Sequence, residues 1–179
     1  MMLRRTTLLK SERGAAVIEL ALVAPILAVL TIGVVDLSNA YSRKLALEQG
    51  AQRAVEKIMQ TTEDDTVENT LATEAICQVN GVNSDGTCKT SPISTSDVTV
   101  TWRRECTTGG TMTPAPGSPY ATSTAFDLAA NDCPSGTTKE ADYIQIALTD
   151  KYTPMFPLHF ATNADGTYHM SATAGIRTQ

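Results

Sequence analysis

Aromatic side chains are few in this chain: one Trp, three Phe and five Tyr stand among 179 residues. Histidine is rarer still, with only His159 and His169. That supply does not suit an enzyme with a deep, aromatic-lined pocket. Positive charge is also short. Fourteen Lys and Arg face nineteen Asp and Glu, for a net charge of −5, and beyond the N-terminal head the basic residues are scattered. This speaks against a nucleic-acid surface. Neither histidine lies in an H-E-x-x-H or a Ser or Cys nucleophile pattern, and no Gly-rich loop leads into a helix with a lysine. The cysteines form no C-x-x-C pair, as a zinc site would want. Paired carboxylates such as Asp64-Asp65 fit a helix start, where the dipole favours them. No catalytic constellation, cofactor site or metal site emerges.

What is present begins with a long apolar run. Ala15 to Val35 carries Glu19 as its only charge. At 1.5 Å per residue, about 21 helical residues reach about 30 Å, the thickness of a bilayer core. Arg4, Arg5, Lys10 and Arg13 precede the run and Asp36 follows it. By the positive-inside rule the N-terminus stays cytoplasmic and the chain after residue 36 crosses. A cleaved secretory signal is the competing reading, with Ser38-Asn39-Ala40 as a small-residue site, but signal h-regions run only about 7 to 15 residues. A spanning anchor fits the length better.

The helical pattern continues past the span. Leu37, Ala40, Lys44, Leu47, Ala51, Ala54 and Ile58 recur at three- and four-residue steps, so one helix is expected from about 15 to 60. Its extra-membrane stripe should pack on the chain's own domain, and its small residues would also allow contact with neighbouring subunits. Thr61 to Asp65 should break the pattern and cap a second helix. Val67, Leu71, Ala75 and Val79 form the inner face of that helix, and Asn80-Gly81 ends it. Asn83-x-Asp85-Gly86 and Asn163-x-Asp165-Gly166 resemble fragments of a calcium loop but lack its acidic first and twelfth ligands, and read as turns. Strands are expected at Val98, Val100 and Trp102, at Ile144, Ile146 and Leu148, and at Tyr168, Met170, Ala172, Ala174 and Ile176. Residues 106 to 138, rich in Gly, Pro, Thr and Ser, read as a long surface excursion. Three strands imply an antiparallel sheet with the helix over one face.

Cys77, Cys88, Cys106 and Cys133 all fall on the translocated side, and an even count in an oxidising compartment reads as two disulfides. Of three connectivities, the sequential one, Cys77–Cys88 and Cys106–Cys133, closes local loops and is preferred. The organisation is thus a basic leader (1–14), a transmembrane segment (15–35), the helix continuation (36–60) and a disulfide-containing α+β domain (61–179).

Glu19 is the anomaly. A carboxylate at membrane depth costs roughly 2.5 to 3.5 kcal/mol at a helix centre and less near an end. "RGAAVIEL" resembles the recognition site of type IV prepilin peptidases, in which a basic leader ends in Gly and Glu falls fifth in the mature chain. The match implies cleavage between Gly14 and Ala15, with Glu19 in that fifth place. Cleavage would create an α-ammonium with a pKa near 8. Glu19 of an axially shifted subunit would pair with that amine and fix register between helices. Snorkelling of Glu19 to the cytoplasmic edge is the bland alternative.

The wider segment "SERGAAVIELALVAPILAVLTIGVVDLSNAYSRKLALEQGAQRAV", with "YTPMFP" at 152 to 157 and "SATAGIR" at 171 to 177, resembles the TadE-like family of the Tad (tight adherence, Flp-type) pilus, in the type IV pilin superfamily. The resemblance implies an α+β fold: a long N-terminal transmembrane helix continuing into a small periplasmic, pilin-like domain with a second helix and a small antiparallel sheet. It implies a minor pilin or pseudopilin that helps initiate or cap pilus assembly, and so surface adhesion. The alternative is a permanently anchored periplasmic assembly factor that stays out of the fibre. Implied partners are the prepilin peptidase, a major Flp-type pilin, other minor pilins, the inner-membrane assembly platform and the lipid bilayer. The implied place is the inner membrane, single-pass, or the extracellular pilus once assembled. Pro25 lacks an amide and frees the carbonyl of Ala21, so the helix should kink or loosen there. Gly33 is a second soft point of the kind related pilins use on packing into a filament.

Overall fold

The computed structural model describes residues 12–60, 70–128, 133–156 and 162–178. The basic residues Arg4, Arg5 and Lys10, the expected cap at Thr61 to Asp65, Val67 and His159 lie outside the described residues.

One helix, α1, runs unbroken over Glu12–Gln60. A second, α2, covers Leu71–Asn80 and ends on Gly81, whose φ of 78° suits a residue without Cβ. The sheet has four strands in the order β2-β1-β3-β4, all antiparallel: β1 Val98–Thr108, β2 Thr111–Pro114, β3 Thr138–Tyr152 and β4 Tyr168–Arg177. A short helix, α3, occupies Ser123–Leu128.

The period-two expectation holds for all three predicted strands. Trp102 pairs with Ile144, Val100 with Ile146, and Ile146 with Ala174, so the even-numbered side chains form one inward face. Leu47, Ala51 and Ala54 of α1, Leu71, Ala75 and Ile76 of α2, and Ile144, Ile146 and Leu148 of β3 make the core, with Ile93 behind them. Gly50 packs directly against α2. A Cβ there would sit 2.5 Å from Val79 Cγ2 and 3.0 Å from the carbonyl oxygen of Ala75.

Two expectations need correction. The stripe on α1 begins at Asp36, which is buried, while Leu37 is 63% exposed. The reason is a pair of backbone donors that recruit Asp36, described below. The 106–138 excursion is also more ordered than its composition suggests. Gly109 and Gly110, both at positive φ, turn β1 into β2. Beyond them Tyr120 exchanges two backbone bonds with Trp102, at 2.7 and 3.0 Å. Tyr120 and Phe126 meet edge to face at 5.8 Å and are buried with Ala115. The described part of the segment therefore stays mostly at the surface but reaches the core at Ala115, Tyr120 and Phe126.

The inward face also carries charge. Arg104 Nε donates to Asp142 Oδ1 at 2.9 Å, with both side chains about 4% exposed, and the guanidinium lies 4.4 Å over the ring of Phe126. Removing one partner of such a buried pair costs about 3–5 kcal/mol, because the other charge is stranded. The cysteines pair sequentially: Cys77 with Cys88 (Cα–Cα 4.7 Å) and Cys106 with Cys133 (5.6 Å). On the chain-entropy model each is worth roughly 3 kcal/mol.

Candidate assembly site

The first half of α1 presents apolar side chains to its surroundings in every direction. Val17, Ile18, Leu20, Leu22, Ile26, Leu30 and Val34 are each 60% exposed or more. No residue of the most apolar stretch is buried, and the helix is long and apolar enough to cross a membrane. Thr31, a polar intruder, is satisfied internally by donating to the carbonyl of Leu27 at 2.7 Å.

Gly14 and Glu19 are both exposed, and the Gly14–Ala15 bond lies within α1, which is described from Glu12. Glu19 sits one turn further in, on the apolar segment, with no ion pair among the described residues. The helix continues through Pro25 and Gly33 without interruption. No described atom outside α1 would come within 4 Å of a Cβ at Gly33.

Where the apolar run ends, the domain grips the helix. The two carboxylate oxygens of Asp36 accept the backbone N–H groups of Met155 (2.9 Å) and Phe156 (3.2 Å). A turn further on, Asn39 Nδ2 lies 3.6 Å from Met155 Sδ. Arg43 then reaches Asp150 at 3.3 Å, and Lys44 donates to the carbonyl of Ser171 while pairing with Glu48 at 3.2 Å. Three successive turns of α1 are thus fastened to β3, β4 and the loop between them. The Lys44 contact also occupies a carbonyl on the edge strand β4, which blunts that edge against pairing with another chain. Sequence reading missed the clamp. Its signal was a lone Asp at the end of an apolar run, easily taken for a span terminator.

Both Asn-x-Asp-Gly segments are turns of one design. The Asn N–H bonds to the carbonyl four residues on, and Oδ1 of the Asp accepts the amide and hydroxyl of the following Thr, at 83–87 and at 163–167. Asp165 also faces His169 Nε2 at 2.6 Å. Hydrogen bonds from His169 and then from Thr167 hold its carboxyl well below the usual carboxylate range. Those from the Thr87 hydroxyl and amide lower Asp85 in the same way. No group of His, Cys, Asp and Glu suited to a metal occurs among the described residues.

These features define an α+β protein with one helix long and apolar enough to cross a membrane and a disulfide-bonded antiparallel sheet packed on that helix's second half. Its N-terminal segment is TadE-like: residues 14–56 match the model of the family described as TadE-like protein, a match that starts on Gly14 and takes in most of α1. No curated protein and no solved structure matches the chain.

Proposed function

We propose that this chain is a minor pilin or pseudopilin of a Tad-type pilus, cut by a prepilin peptidase between Gly14 and Ala15 and held in the inner membrane by residues 15–35 until it is extracted. The observation that carries the reading is the start of the TadE-like match on Gly14, with Glu19 fifth after it on an exposed, apolar helix. Cleavage gives Ala15 an α-ammonium, and Glu19 of a neighbouring subunit neutralises it once both leave water. The pair sets the axial stagger between helices, while the large apolar side chains of residues 17–35 supply the packing surface. The small domain, with its disulfides on the periplasmic side, then helps initiate or cap the fibre. The chain's part is structural, and its partners are the peptidase, the major pilin, the other minor pilins and the assembly platform.

Glu19→Gln keeps the shape of the side chain and removes the charge. It should leave membrane insertion and cleavage intact and sharply reduce surface piliation. Wild-type piliation by Glu19→Gln would sink the pairing role and leave Glu19 as a snorkelling edge residue.

A further inference from the structure

The Asp36 clamp holds an unusual loop at a particular depth. Pro154 has no amide N–H, the N–H groups of Met155 and Phe156 are both taken by Asp36, and the residue that follows in the sequence is again a proline. This stretch of backbone therefore offers water no free donor. Its side chains are nonetheless apolar and outward: Met155 is 70% exposed and Phe156 38%. On the helix beside it, Leu37 and Tyr41 are each 63% exposed. An exposed apolar loop without free amide donors is poorly explained by water and well explained by an apolar phase, where an unsatisfied N–H costs several kcal/mol. The position agrees. Asp36 directly follows Val35, the last residue of the apolar run, so the clamp ties the loop to the end of the span, about one residue's rise of 1.5 Å beyond it.

We infer that the Pro154–Phe156 loop, with Leu37 and Tyr41, forms a lipid-dipping collar that rests in the headgroup–acyl boundary of the bilayer on the domain side. Asp36 is its positioning residue. The collar is continuous with the span, and its mix of Phe, Tyr and Met suits the interfacial zone where aromatic residues concentrate. Arg43 and Lys44, two turns past Val35, are the first basic side chains beyond the apolar run. The collar seats the small domain against the membrane and fixes its orientation to the helix before the subunit is extracted. The inference rests on the membrane-anchor part of the function proposed above.

The test uses the full chain in vesicles of phosphatidylethanolamine and phosphatidylglycerol whose acyl chains carry bromine either near the headgroup or near the bilayer centre. Phe156→Trp and Leu27→Trp are compared with the parent protein, whose single Trp102 is buried in the domain. The added emission of Phe156→Trp should fall by about half with shallow bromines, as for a ring seated about 5–10 Å into the boundary, and Leu27→Trp should respond to the deep ones. Quenching of Leu27→Trp without any of Phe156→Trp overturns the collar and leaves the span standing. No quenching of either overturns both. Emission of Phe156→Trp that ignores bromine but shifts with protein concentration would overturn the lipid assignment in favour of a second copy of the chain.

Discussion

The two halves of α1 share one unbroken helix and little else. From Ala16 to Val35 its large apolar side chains are exposed on every side but for the half-buried Ile32, whereas from Asp36 to Gln60 one face is buried and the others are mainly polar or charged, with Leu37, Tyr41, Leu45 and Met59 as exposed apolar exceptions. The buried face is built from small residues. Ala40, Gly50, Ala51 and Ala54 bring the backbone close to α2 and β4, with Leu47 as the one large insertion. Lys44–Glu48 at 3.2 Å and Arg53–Glu56 at 3.5 Å lie along the outer faces, and Lys57–Glu74 at 3.2 Å links the helix to α2. Exposed pairs of this kind are each worth only about 0–1 kcal/mol, so they solubilise the helix more than they hold it. Helix propensity does not separate the halves. The surfaces they present do: apolar on nearly every side in the first half, and one face buried on its own domain in the second.

The same substitution in both halves should break this symmetry most visibly. Leu47 is fully buried and Leu22 is 68% exposed. Leu47→Ala should cost about 2–5 kcal/mol of domain stability, the range for a large-to-small change in a core. Leu22→Ala should leave the thermal midpoint of the domain unchanged, as measured by melting of detergent-solubilised protein. Equal losses from the two would mean that the first half packs on the domain as well.

A charge in the first half should show the converse. Leu27→Arg places a guanidinium near the middle of the span and should raise the cost of membrane insertion by about 2.5–3.5 kcal/mol. Fractionation should then recover less protein with the membrane, while the isolated product melts like the parent.

Gly50→Ala sharpens the account of the second half and has the smallest effect. Alanine gains about 1 kcal/mol of helix propensity over glycine. Against this, its Cβ would press on the stiff Val79 side chain and on the backbone oxygen of Ala75, and overpacking costs typically about 1–3 kcal/mol. The net result should be mild destabilisation in chemical unfolding, and stabilisation would show that the helices can separate without loss.

Much of this architecture is legible in the chain because periodicity reports burial directly. The even-numbered residues of β1, β3 and β4 alternate cleanly, and α1 repeats at three and four. Where apolar residues are isolated, the pattern fails. Ala115, Tyr120 and Phe126 sit among Gly, Pro and Thr with no period, and their burial depends on Trp102, which pairs with Tyr120 across the fold. Arg104 and Asp142 fall on the inward phase of their strands, yet sequence reading, which followed the apolar residues, assigned neither charge to the core. What it could not supply was the register that sets them opposite each other. Asp36 was hidden for a related reason: its partners are backbone amides about 120 residues away, and amides leave no trace in composition. At the N-terminus the opposite holds. Gly14 and Glu19 are exposed, and only their spacing suggests a role.

The most direct test of that role is mass spectrometry of sheared pili beside inner-membrane fractions from the same cells. The account predicts this chain in the sheared fraction with the mature N-terminus Ala-Ala-Val-Ile-Glu, beginning at Ala15. A chain confined to the membrane fraction and still beginning at Met1, or one beginning after Ala40, would contradict it.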